Sequence, residues 1–315
     1  MEIVLVDAYT LNPGDLSWDR IGSLANLKIY DRTTSEDLVE RCANADIVLT
    51  NKVAFTREIF KKLPKLKLLA VTATGFNIID IEAANNLNIR VCNVPDYGTD
   101  SVAQHTFAFI LELANRIGLH ATSVKEGKWV SSNDFSYALT PLIELKDKTL
   151  GLVGFGNIGQ RTSEIARAFG MKVLYHTPSE KNTNLATYKS LDALFAESDF
   201  ISLHLPLKAE NVGFVNRELI EKMKHSAFLI NTSRGPLINE QDLADALNSG
   251  RIAGAALDVL SSEPPSAQNP LLQAKNCIIT PHNAWMSKEA RERIMEITFQ
   301  NIKGFLEGKV INQIN

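Results

Sequence analysis

Residues Leu150–Arg161 read LGLVGFGNIGQR, four apolar-run residues giving way to three glycines and then to polar sequence. Gly154, Gly156 and Gly159 form a GxGxxG pattern, with Phe155 inside it and Asn157 and Ile158 before the third glycine. In such a loop the first glycine permits a tight turn, the second admits a pyrophosphate close to the backbone, and the third lets helix and strand pack closely. The phosphates then meet N–H groups at the positive end of the following helix. The pattern is weak alone. What strengthens it here is its setting, after an apolar strand and before a helix, almost at mid-chain.

Working outward, short apolar runs alternate with helical patterns along the whole chain, the signature of parallel βα architecture. After the loop's own strand, 149–153, candidate strands follow at 172–176, 200–204, 227–231, 253–258 and 277–280. Six strands separated by helices match a complete dinucleotide-binding domain. Before the loop lie five more runs, IVLVD, LKIYD, ADIVLTN, LKLLAVT and IRVCNV, separated by segments such as SEDLVERCANA and NIIDIEAANNLN. They predict a smaller five-stranded α/β unit. A long helix is expected from Asp100, as N-cap, to about Lys125. The final helix, SKEARERIMEITFQNIKGFLEG, belongs to neither series and is expected to pack on the first. The fold class is therefore α/β with two domains: residues 1–99 and 284–315 form one, and a Rossmann domain at 100–283 is inserted into it.

Composition narrows the function. The chain has 315 residues, 45% hydrophobic and 22% charged, with a formal charge of −3, so neither nucleic acid nor an anionic membrane is an expected partner. Cys42, Cys92 and Cys277 are widely spaced and odd in number, which fits a reducing cytoplasm better than a disulfide scaffold or zinc site. The N-terminus MEIVLVDAYT lacks a basic n-region and reads as a strand, not as a signal peptide.

Cofactor choice turns on the end of the second strand of the Rossmann series. A carboxylate there ordinarily binds the ribose 2′-hydroxyl, but VLYHTPSEK offers Thr177, with Glu180 and Lys181 beyond. Thr177 would not repel a 2′-phosphate and Lys181 would attract one. The absence of an arginine leans the reading to NAD, with NADP open.

In open α/β sheets ligands bind beyond the carboxyl ends of strands. Arg234 (NTSRG), Glu263 (SSEPP) and His282 (PHNAW) each follow such an end. A planar guanidinium suits a carboxylate, an imidazole carries protons, and a carboxylate orients the imidazole and favours its charged form. Each residue taken singly reads as an ordinary loop residue; together, beside a cofactor, they read as catalytic. His204 reads as packing or a cofactor-edge contact, and His105 as structural. His120, His176 and His225 have no acidic partner at useful spacing, and no pair has zinc spacing.

At these residues the chain resembles the D-isomer-specific 2-hydroxyacid dehydrogenases, and among them is most similar to the glycerate dehydrogenase (hydroxypyruvate reductase) branch. The resemblance spans NVPDYGTDSVAQHT, PLIELKDKTLGLVGFGNIG, LINTSRGPLINEQDLADALNSGRIAGAALDV, the EPP turn and TPHNAW. It implies a flavodoxin-like substrate domain and hydride transfer between NAD(P) and a small D-2-hydroxy acid, glycerate and glyoxylate chemistry first. It also implies Arg234, Glu263 and His282 as a catalytic triad, Asp258 at the nicotinamide carboxamide and Thr232 lining the cofactor cleft. Backbone at Gly75 and Phe76 would hold the substrate carboxylate, with Lys52 in a second substrate loop. A homodimer built from the long helix and the segment before the glycine loop is likewise implied. The alternatives are another 2-oxo acid, 3-phosphoglycerate, or a non-catalytic NAD-sensing protein resembling the same family.

Overall fold

The computed structural model describes residues 1–315 and divides into two compact units, Met1–Tyr97 with Met286–Asn315, and Gly98–Trp285. These boundaries lie two residues from those read in the sequence.

The first unit contains a five-stranded parallel sheet of β1 (Glu2–Leu5), β2 (Asn26–Ile29), β3 (Ile47–Thr50), β4 (Leu68–Val71) and β5 (Arg90–Cys92), in the order 2-1-3-4-5. That is the flavodoxin-like order. Strands β3 and β4 are buried along their full length, as continuous Ile/Val/Leu runs covered on both faces must be. The Lys288–Leu306 helix joins this unit as expected: Ile302 is fully buried and Phe299 and Phe305 pack beside it in the core that holds Ile3, Leu5 and Ile47.

The second unit contains a parallel sheet of seven strands, one more than the sequence reading gave. They are β6 (Thr149–Val153), β7 (Lys172–His176), β8 (Thr187–Tyr188), β9 (Phe200–Leu203), β10 (Phe228–Asn231), β11 (Gly254–Leu257) and β12 (Cys277–Ile279), in the order 12-11-10-9-6-7-8. The order reverses beside β6, the strand that feeds the glycine loop, and this switch point is where such sheets open a crevice. The extra strand β8 is an edge pair of residues with Thr187 exposed, too short and too polar to carry a strand pattern.

The expected single helix from Asp100 to Lys125 is two helices, Thr99–Asn115 and Ile117–Lys125, and Asp100 is not its cap. The break is Arg116, whose backbone is left-handed at φ 48° and ψ 44°. Its N–H still closes on the Glu112 carbonyl at 2.8 Å, and the Glu112 side chain accepts from Gly118 N at 3.2 Å, satisfying an orphan donor of the new helix. Gly98 stands at the N-cap, while Asp100 lies in the first turn and bonds Arg161 Nε at 2.8 Å. No helix is long and apolar enough to cross a membrane.

Candidate active site

The glycine loop leaves β6 through Gly154 at φ +96°, a conformation that L side chains rarely adopt. A Cβ at Gly154 would also overlap the carbonyl of His204, so the loop and the end of β9 touch backbone to backbone. Gly156 caps the Asn157–Ala168 helix with extended backbone, and a Cβ there would meet nothing within 4 Å. The open space lies where the second glycine of the motif should face a pyrophosphate, and the residues fit a dinucleotide. His204 is fully buried; burial pushes its imidazole down to about 4, so it is neutral at physiological pH. Its Nε2 meets Ser202 Oγ at 2.9 Å, and its Nδ1 has no partner.

Strands β10, β11 and β12 pair in register, with Asn231 opposite Leu257 and Leu257 opposite Ile279. Their ends are therefore level. From them depart, in turn, the loops bearing Arg234, Glu263 and His282. Asn231 shapes the first loop: its side chain accepts from Ser233 N at 2.9 Å and donates to the Arg234 carbonyl at 2.8 Å. Arg234 Nη1 donates to the Ser233 carbonyl at 2.7 Å, and the next residue, Gly235, lies against Leu260 at the root of the second loop. Glu240 pins that second loop, accepting from Ser261 N and Oγ, each at 2.7 Å, and from Asn269 Nδ2 at 2.8 Å. Within it Glu263 accepts from Leu260 N at 3.2 Å through Oε1, and Oε2 meets His282 Nδ1 at 2.6 Å. That contact fixes the ring plane and makes Nδ1 the proton-bearing nitrogen beside a carboxylate, leaving Nε2 as the ring nitrogen turned away from Glu263.

His282 itself sits in a left-handed backbone at φ 51°. The turn is held by Asp258, whose carboxylate is 1% exposed. It accepts from Thr280 Oγ1 at 2.6 Å and from Asn283 N and Ala284 N, each at 2.9 Å, and the Asp258 carbonyl accepts from His282 N at 2.8 Å. His105 Nε2 reaches Thr280 Oγ1 at 3.2 Å and stands 3.7 Å from Asp258. Burial pushes the His105 imidazole below its usual range, and Asp258 opposes the shift. The sequence reading named Asp258 as an implied cofactor contact and His105 as structural, but not their bonds to the His282 turn, because those partners are backbone N–H groups and a threonine, which carry no motif. Thr232 bonds Thr106 through their hydroxyls at 3.2 Å.

Lys52, Gly75 and Phe76 belong to the first unit. There Lys52 follows β3 and Gly75 and Phe76 follow the adjacent β4, so both loops leave the same sheet edge. The turn at Lys52 is wound on the buried carboxylate of Asp7, which accepts from Asn51 N, Lys52 N and Val53 N at 2.8, 2.6 and 3.2 Å. Burial raises the Asp7 carboxyl above its usual range, and those N–H groups pull it back.

Comparison with known proteins places this geometry. The family described as D-isomer specific 2-hydroxyacid dehydrogenase, NAD binding domain, matches residues 107–284. A hydroxypyruvate reductase of Blautia hydrogenotrophica is 48% identical, with 100% of both chains covered. A glycerate dehydrogenase of Methylorubrum extorquens is 38% identical over 91% of each. Among solved structures, an acyclic imino acid reductase in complex with NADPH and D-Arg superposes with a TM-score of 0.88 at 33% identity, covering 100% of both chains. The chain belongs to the D-isomer-specific 2-hydroxyacid dehydrogenase family. It is an NAD(P)-dependent oxidoreductase with the two α/β domains of that family.

The closeness of the Arg234 and Glu263 loops is itself testable. A Cβ at Gly235 would overlap the Leu260 carbonyl group, and backbone cannot step aside as a side-chain tip can. Gly235→Ala should lower stability by about 1–3 kcal/mol and cut turnover on the order of tenfold or more. Thermal unfolding and steady-state kinetics measure both, and a variant matching wild type in each would mean the loops are not in contact.

Proposed function

We propose that this chain reduces a small 2-oxo acid to its D-2-hydroxy acid, with hydroxypyruvate and glyoxylate as the foremost substrates and glycerate oxidation as the reverse. The observation that carries the reading is the 2.6 Å Glu263–His282 contact at strand ends level with the Arg234 loop, in the same sheet as the glycine loop. It is supported by the hydroxypyruvate reductase and glycerate dehydrogenase relatives, which cover nearly all of the chain.

In this reading Gly154, Gly156, Asn157, Ile158 and Gly159 hold the pyrophosphate. Thr177 lies by the adenosine ribose, Thr232 lines the cleft, and Asp258 is assigned to the nicotinamide carboxamide from the family resemblance. Bound there, the reduced nicotinamide supplies the hydride. Arg234 binds the substrate through its carboxylate and carbonyl oxygens in the bidentate manner a guanidinium favours. This fixes the carbonyl carbon and, as charge builds on the oxygen, stabilises it. His282 delivers the proton from Nε2 to that oxygen, while Glu263 keeps the imidazole aligned and balances its charge. Lys52 and the N–H groups of Gly75 and Phe76 are assigned to the substrate carboxylate from the family resemblance. Residues 1–99 with 284–315 thereby take the substrate role, and 100–283 the cofactor role.

The three cysteines are all free, which supports a reducing, cytoplasmic setting. A homodimer is supported by apolar side chains left exposed between Ile117 and Leu142, with Val130 at 92% and Phe135 at 90% exposure.

Oxidation of NADH and NADPH should be followed separately with hydroxypyruvate, glyoxylate, pyruvate and 3-phosphohydroxypyruvate. Hydroxypyruvate should turn over at about 1–1,000 per second; tight nucleotide binding with no turnover of any acid would overturn the enzymatic reading. Light scattering should give twice the chain mass, and Val130→Asp with Phe135→Asp should give the monomer; a wild-type monomer would remove the dimer.

A further inference from the structure

The Thr99–Asn115 helix carries three polar side chains that bond loops of the candidate site. Ser101 Oγ donates to the Ala284 carbonyl at 2.7 Å. One turn on and therefore on the same face, His105 Nε2 meets Thr280 Oγ1 at 3.2 Å. The next residue, Thr106, meets Thr232 Oγ1 at 3.2 Å, just before Arg234. Thr280 and Ala284 each stand two residues from His282, one on either side. Ser101 and His105 thus hold both flanks of the turn that carries it.

The direction of the His105 bond follows from counting protons. The Thr280 hydroxyl has one, and at 2.6 Å it goes to Asp258 Oδ1, whose carboxylate accepts from backbone N–H on both oxygens. The contact with His105 therefore runs the other way: Nε2–H donates and the threonine oxygen accepts. Burial, which pushes the His105 imidazole below its usual range against the pull of Asp258, keeps the ring neutral with that proton on Nε2. One chain of donors then leads from His105 to Thr280 to Asp258 and closes on the backbone around His282. A hydroxyl without a donor on its lone pairs rotates to suit whatever acceptor is near; His105 removes that freedom from Thr280.

We propose that His105 is a positioning residue for His282, which it aims by directing the Thr280 proton onto Asp258 and so keeping the His282 turn closed. The proposal rests on the reading of His282 as proton donor. A histidine that only fills space would show the same packing, since the His105 ring also meets Phe109 edge-on at 4.6 Å between centroids. The consequences differ. A filler can be replaced by an apolar side chain of similar size, a donor only by another donor.

Single-turnover oxidation of bound NADH by hydroxypyruvate separates the two in wild type, His105→Leu and His105→Gln, with each fold checked by thermal melting. Leucine keeps the bulk and removes the N–H, whereas glutamine carries an N–H donor at nearly the reach of Nε2. At saturating acid His105→Leu should slow the step about ten- to a hundredfold. The half-saturating acid concentration should stay within about threefold of wild type, because the Arg234 loop is held through Thr106 and Thr232. His105→Gln should return the rate to within about threefold of wild type. Equal rates in wild type and His105→Leu would overturn the proposal, as would a loss that glutamine does not restore. Wild type that oxidises NADH with none of the 2-oxo acids would overturn the enzymatic reading instead, and the proton between His282 Nδ1 and Glu263, observed by NMR, then decides. A signal that broadens in His105→Leu and sharpens again in His105→Gln supports the positioning role; one unchanged in His105→Leu overturns it.

Discussion

The buried carboxylate of Asp258 is the point from which the rest of the site is built. An uncompensated carboxylate at that depth would cost several kcal/mol, and here the compensation comes from the segment that must be positioned: Thr280 Oγ1, Asn283 N and Ala284 N. Because the donors lie on both sides of His282, satisfying the charge also bends the chain. The left-handed backbone of His282, a conformation costing about 1–3 kcal/mol, is held by the same contacts. An imidazole on a free loop would sample many directions. This one leaves a turn closed around a charge, and Glu263 then fixes its ring.

The parallel sheet supplies the second constraint. Strands that pair in register end level, so residues far apart in the chain are delivered to one edge without any direct attraction between them. Arg234 and Glu263 arrive on adjacent strands and are drawn closer by Gly235, which lets two backbones touch. The reversal of strand order beside β6 brings the glycine loop to the same edge. Buried apolar strands thus determine where polar chemistry occurs, and the loops add only the last few ångströms.

Much of this was legible in the sequence because fully buried parallel strands are continuous apolar runs, and those of β6 and β7 were read to the residue. The triad candidates were legible for a related reason, since each follows such a run directly. The edge strand β8 was not, as two half-covered residues have no periodicity. Nor was the helix break at Arg116, because arginine carries no breaker signal and the left-handed turn is stabilised by a side chain four residues earlier. The loop-holding contacts of Asp258, Glu240 and Asp7 were hidden for one common cause. Each carboxylate accepts from backbone N–H groups of a neighbouring loop, a pairing that any sequence could supply.

Rapid-mixing single-turnover oxidation of bound NADH by hydroxypyruvate, in wild type and His282→Asn, tests the central claim that His282 is the proton donor. Asparagine tolerates the left-handed backbone at this position, so the turn around Asp258 should persist while the proton donor is lost. The account predicts a chemical step slowed by about 10²–10⁴-fold with NADH still bound. A single-turnover rate within about threefold of wild type would contradict it and take the proton transfer away from His282.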